Sequence, residues 1–156
     1  VPAWKAIVES EPEFAGRVQR LFDAGRHKTI ATLRADGSPL ISGIECEFAD
    51  GELRFGSMAG ARKGADLNRD LRFAVHSPTS DPEEGKEREW PGEAKIAGRA
   101  IASGPVFADE GRGQPGGELF VADITEVVVT ALDTDTTRLV VDSWTPGRGP
   151  IRVERD

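Results

Sequence analysis

The chain is poor in the residues that staple or ligate. One cysteine among 156 residues leaves no internal disulfide to form. That residue, Cys46, stands between Glu45 and Glu47, whose charges oppose a thiolate, so the sequence predicts a packed thiol and not a nucleophile. The two histidines, His27 and His76, have neither a second histidine nor a CxxC partner at ligand spacing, and a metal site has no support. Positive charge is also short. Twenty Lys and Arg against 27 Asp and Glu give a net charge of −7, which disfavours general nucleic-acid binding because that draws its affinity from neutralised phosphates. No apolar run approaches the roughly 20 residues that span a bilayer. The N-terminal VPAWKAIVESEPEF is broken by charge every few residues and has no signal-peptide pattern, so a cytoplasmic location is expected.

What is present suits one domain, residues 1–156, with a core large enough to stand without staples. In EPEFAGRVQRLFDAGR, Phe14, Val18, Leu21 and Phe22 recur at helical spacing before Gly25, predicting an amphipathic helix over about 11–25. From about 28 to 155 the pattern changes to β-rich runs: KTIATLR, SPLISGIECEF and ELRFGS, joined by Asp36-Gly37 and Asp50-Gly51, which are strong hairpin signals. ARKGADLNRD reads as a short helix, followed by strand RFAVHS and a polar loop, PTSDPEEGKEREWPGE. Strand patterning returns in AKIAGRAIAS, breaks over GPVFADEGRGQPGG, and resumes in ELFVADITEVVVTAL, RLVVDSWT and IRVER. About eight strands and two helices predict a mainly β fold, a closed or split antiparallel barrel, with a sandwich as the alternative.

One stretch stands out chemically. GSMAGARKGADLNRD places Ser57, Arg62 and Lys63 among glycines at the junction of a strand and a helix. Arginine supplies a planar fork, lysine a point charge and the helix start free amides, a set that suits a phosphate monoester. Two adjacent cations on a solvated first turn are the plainer alternative.

The continuous stretch from Thr29 to Pro78 resembles the core of the pyridoxamine 5′-phosphate oxidase-like split-barrel flavoproteins. The likeness is carried by ATLRADGSP, the return strand, the strand ending in Gly56-Ser57, the Arg-Lys pair of ARKGADL and the Asn-Arg-Asp turn into RFAVHSP. The resemblance implies an FMN-binding split β-barrel and a homodimer with the flavin in a groove between chains. It implies that Arg62 and Lys63 hold the cofactor phosphate beside Ser57, while Thr32, Leu33 and Ser42 or Ile44 line the ring. It implies an oxidoreductase acting on a small-molecule substrate. The alternatives are a reductase using the 8-hydroxy-5-deazaflavin coenzyme and a flavin carrier without turnover. His76 is a candidate cofactor neighbour, and Trp144 either packs at the dimer interface or barrel end or covers the flavin. The closing VDSWTPGRGPIRVERD does not reproduce the arginine motif with which true pyridoxamine phosphate oxidases bind their substrate. The acidic loop at 81–89 reads as a solvated loop or a lid. No catalytic base is evident, and flavin chemistry does not demand one.

Overall fold

The computed structural model describes residues 3–107, 115–135 and 138–156, with backbone alone at 104–107 and 115–116. Two helices, α1 (Trp4–Ser10) and α2 (Pro12–Asp23), precede β1 (His27–Leu33), β2 (Pro39–Ala49) and β3 (Glu52–Ser57). Helix α3 (Arg62–Arg69) leads into β4 (Arg72–His76), and a loop with one 3-10 turn leads to β5 (Glu93–Phe107). Strands β6 (Pro115–Leu132), β7 (Leu139–Trp144) and β8 (Ile151–Arg155) complete the chain.

All pairings are antiparallel, in the order β3-β2-β1-β4-β5-β6-β7-β8, and β3 also pairs with β6. That last pairing closes six strands into a barrel. Strand β6 serves two neighbours along one edge: Glu118–Val121 join β3, and Val127–Leu132 join β7. β7 and β8 therefore form a wing outside the barrel. The expected antiparallel split barrel is what forms.

Both Asp-Gly pairs make hairpins, by different routes. Asp50 and Gly51 take φ of 53° and 77°, the left-handed pair of a tight two-residue turn between Ala49 and Glu52. At the other hairpin only Gly37 is left-handed, at 85°, and Asp36 accepts from the Ser38 amide to shape a longer loop.

Alternation along the strands turns Ile30, Ile44, Leu53, Phe55, Val75, Ile96, Phe120 and Ile124 into the barrel. Phe55 lies against Phe73 and Phe120, with ring centroids 5.0 and 6.0 Å apart. The barrel end is covered by the first two helices. Trp4 sits 4.5 Å from Phe48, and Phe22 meets the same ring edge-on at 5.8 Å. Helix α1 was absent from the sequence reading, and β5 and β6 run into the stretch read as an interruption, whose centre, 108–114, lies outside the described residues. Among the described residues no helix is long and apolar enough to cross a membrane.

One ionic staple ties α2 to the wing. Asp142 on β7 is buried and accepts from Arg17 of α2 at 2.9 Å and from Arg152 of β8 at 2.8 and 3.0 Å. Burial pulls its carboxyl upward, but the hydrogen bonds from Arg152 and Arg17 outweigh that and hold it below the usual carboxylate range.

Candidate functional site

Pairing between β2 and β3 stops at Cys46 and Phe55, although both strands continue. Beyond that point β2 stays with β1, β3 stays with β6, and the two diverge. The wedge opens into a groove of about 910 Å³ whose lining includes Gly43, Ile44, Gly56, Ser57, Met58 and Lys63. That volume lies in the range of small-molecule and cofactor sites.

Helix α3 lies at one end of the wedge and is fastened to three strands. Asp66 is buried and accepts from Thr32 of β1 at 3.3 Å and from Arg69 at 2.7 Å, while Arg69 also reaches the Leu33 carbonyl at 2.9 Å. Lys63 donates to the Gly43 carbonyl of β2 at 2.9 Å. Asn68 binds both carboxylate oxygens of Glu118 on β6, at 3.0 and 2.8 Å. Gly64 makes the close seat possible, since a Cβ there would stand 2.6 Å from the Ser57 hydroxyl.

The N-terminus of α3 is electrostatically unusual. Its N-cap is Ala61, no side chain caps it, and its first turn holds no acid but two cations. Alanine is among the poorest caps, and cations beside the positive end of a helix dipole are unfavourable. Arg62 is exposed and has no hydrogen-bond or ion-pair partner among the described residues, whereas Lys63 is half-buried at the groove. Uncapped amides, Lys63 and the buried Ser57 thus meet at one end of the groove, whose lining there also includes Glu118, while Arg62 opens the same helix turn without lining the groove.

The other site candidates are distributed differently. Thr32, Ile44 and Trp144 are buried: Thr32 binds Asp66, Ile44 packs in the core with only its edge at the groove, and Trp144 closes the core where β7 pairs with β6. Leu33 and Ser42 are half-buried on β1 and β2, outside the groove lining. His76 lies away from the groove, with Nδ1 2.6 Å from the Ser77 carbonyl and Nε2 3.1 Å from Glu93. Only Ser57, Lys63 and Ile44 of the predicted set line the groove itself.

Cys46 flanks the groove as a packed thiol. Burial pushes it up to about 11, with Lys28 opposing and Asp23 reinforcing that shift. The inert thiol was expected, but the cause is desolvation; Glu45 and Glu47 project from the opposite face of the strand.

Gly43, Gly64 and Asp66 were not singled out from sequence. A signal existed for two of them, since glycine and aspartate inside an eight-residue helix are poor helix formers and mark close packing. Nothing in the sequence marks the Gly43 carbonyl.

Neither known protein-family profiles nor the sequences of curated proteins match the chain. Its fold is nevertheless shared with solved structures. A pyridoxamine 5′-phosphate oxidase-related, FMN-binding protein from Nostoc punctiforme superposes with a TM-score of 0.65 over 97% of this chain and 99% of that one, at 10% identity. PhzG from Burkholderia lata, in complex with tetrahydrophenazine-1-carboxylic acid, gives 0.61 over 98% and 92% at 12% identity. A heme binding protein from Mycobacterium smegmatis gives 0.57 over 83% and 56% at 16% identity. At these identities the fold is what is shared, and one fold serves several ligands.

Proposed function

We propose that the chain is an FMN-binding oxidoreductase of the split-barrel type, with the cofactor phosphate at the start of α3. The observation that carries this reading is the uncapped helix N-terminus bearing Arg62 and Lys63 against Ser57, at one end of a groove of about 910 Å³. A phosphate would accept from the free amides and the Ser57 hydroxyl while neutralising two cations that the helix dipole disfavours. Arg62 is suited to a forked contact; Lys63 would share its ammonium between the phosphate and the Gly43 carbonyl. FMN, when bound, supplies the hydride or electron transfer. The chain's own part is to hold the phosphate, seat the ring along the wedge and shield one face of it. The likeness to an FMN-binding protein of known structure supports the choice of flavin.

A second copy of the chain fits the same reading. Facing residues on the outer sides of β2, β1, β4 and β5 form a row of Ile41, Ala31, Ala74 and Ala97, and Ile41 is 72% exposed. A row of small apolar side chains suits sheet-face packing between copies. A homodimer that completes the groove is the proposed working form.

The test is titration of FMN and of riboflavin, with mass measured by light scattering on the same samples. Each charge-assisted phosphate contact contributes about 1.5 to 3 kcal/mol, so Arg62→Ala or Lys63→Ala is expected to weaken FMN about ten- to a hundredfold. Riboflavin, lacking the phosphate, is expected to bind weakly and to change little in the variants. The loaded protein is expected at about twice the 16.8 kDa chain mass. Unchanged FMN affinity in the double variant overturns the phosphate site, and a flavin-loaded monomer overturns the shared groove.

A further inference from the structure

The loop between β4 and β5 is built around a second cavity. Ser77 closes its base: the Ser77 amide donates to the Ala94 carbonyl at 2.9 Å, and the Ala94 amide donates to the Ser77 hydroxyl at 3.0 Å. Within the loop, the 3-10 turn Glu87–Glu89 ends in a bond from the Trp90 amide to the Glu87 carbonyl at 3.1 Å. Gly92, at φ 92°, then passes so close to β6 that a Cβ would stand 2.5 Å from the Thr130 carbonyl. These constraints place Trp90 beside the end of β6 and leave a cavity of about 310 Å³, at the small end of ligand sites.

The lining is chemically one-sided. It includes Trp90 and Leu132 as apolar walls, Asp81 and Glu93 as carboxylates and the hydroxyl-bearing Thr79 and Ser80, with no Lys, Arg or His among the described residues. Glu93 is steadied by His76, which holds Oε2 and leaves the other oxygen available. Lys86, the lysine of the loop itself, pairs with Glu83 at 3.2 Å. We propose that this cavity binds a small primary ammonium ion. An indole beside carboxylates attracts a cation through both the ring face and the charge, and three N–H donors match carboxylate and hydroxyl acceptors better than a bare metal ion matches an indole. The alkyl stem of such an ion would lie along Leu132. The site shares no lining residue with the groove and stands whether or not that groove binds flavin.

Trp90 provides the readout, because Trp4 and Trp144 are buried in the core and the indole of Trp90 is the half-exposed one. n-Propylammonium chloride is titrated against the intact protein, followed by tryptophan fluorescence and by calorimetry, with sodium chloride and sodium propionate at matched ionic strength. A saturable signal is expected with propylammonium alone. Asp81→Asn, on an exposed loop residue, is expected to weaken binding about tenfold, Trp90→Leu to weaken it at least as much, and Trp90→Phe to retain most of it. Circular dichroism checks that each variant is folded. A non-saturable response, an equal response to sodium chloride, or unchanged calorimetric affinity in folded Asp81→Asn and Trp90→Leu overturns the proposal.

Discussion

At the scale of single residues, the candidate site depends on a glycine that brings no side chain to it. Gly64 lets α3 sit against Ser57, and a Cβ there would also stand 3.1 Å from the Ser57 Cβ. Ser57 is itself buried and short, so it has nowhere to swing. Gly64→Ala is therefore expected to cost about 1 to 3 kcal/mol by overpacking, lowering the melting temperature by about 2 to 10 °C despite alanine's better helix propensity. Adding Ser57→Gly should restore most of that loss, since the two side chains compete for one space. A Gly64→Ala melt at or above the wild-type temperature would show that α3 is not held by this contact. That Ser57, Arg62 and Lys63 lie near one another was legible because they are local: a strand end and a helix start adjacent in sequence remain adjacent in space. The ring-lining candidates were less so. Thr32, Ile44 and Trp144 turn inward, and which face of a strand is inward depends on register with strands far away in sequence.

At the scale of elements, the strands were legible from alternation and from the two Asp-Gly turns, and β3 and β8 begin and end where the pattern put them. Helix α1 was not, because its seven residues carry only two buried positions, Trp4 and Ile7, and Trp4 packs on Phe48 of a strand distant in sequence. The same dependence on distant partners governs how the wing is attached. Arg17, Asp142 and Arg152 come from three elements and meet nowhere in the sequence pattern. Asp142→Asn is expected to cost about 1 to 2 kcal/mol, a discounted figure because Arg17 and Arg152 keep part of their surface in water. The carboxyl is held below its ordinary range in the folded state, so its contribution is complete above about pH 4 and is lost as pH falls through the folded value. Urea midpoints of wild type and Asp142→Asn should therefore stay apart above about pH 4 and converge as the pH is lowered below it. A gap that stays constant as the pH falls below about 4 would mean that the charge of Asp142 contributes nothing.

At the scale of the whole molecule, the chain exposes 9324 Å², against about 7,700 Å² expected for a compact monomer of its mass. The barrel's closing seam has a kinetic meaning as well. The hairpin of β5 and β6 assembles from neighbours in sequence, whereas Phe55 must find Phe120 about 65 residues away, at the cost of closing a long loop. The seam is thus expected to form late in folding and to open early, with amides of Arg54–Ser57 exchanging with solvent faster than those of Ala94–Ala100. Equal protection of the two stretches would remove this ordering. Because the groove is lined by the β3 side of the seam and by the start of its β6 partner, a molecule lodged there spans the last contacts made. Its binding free energy is then added to closure itself, and the loaded protein should fold no faster but open far more slowly.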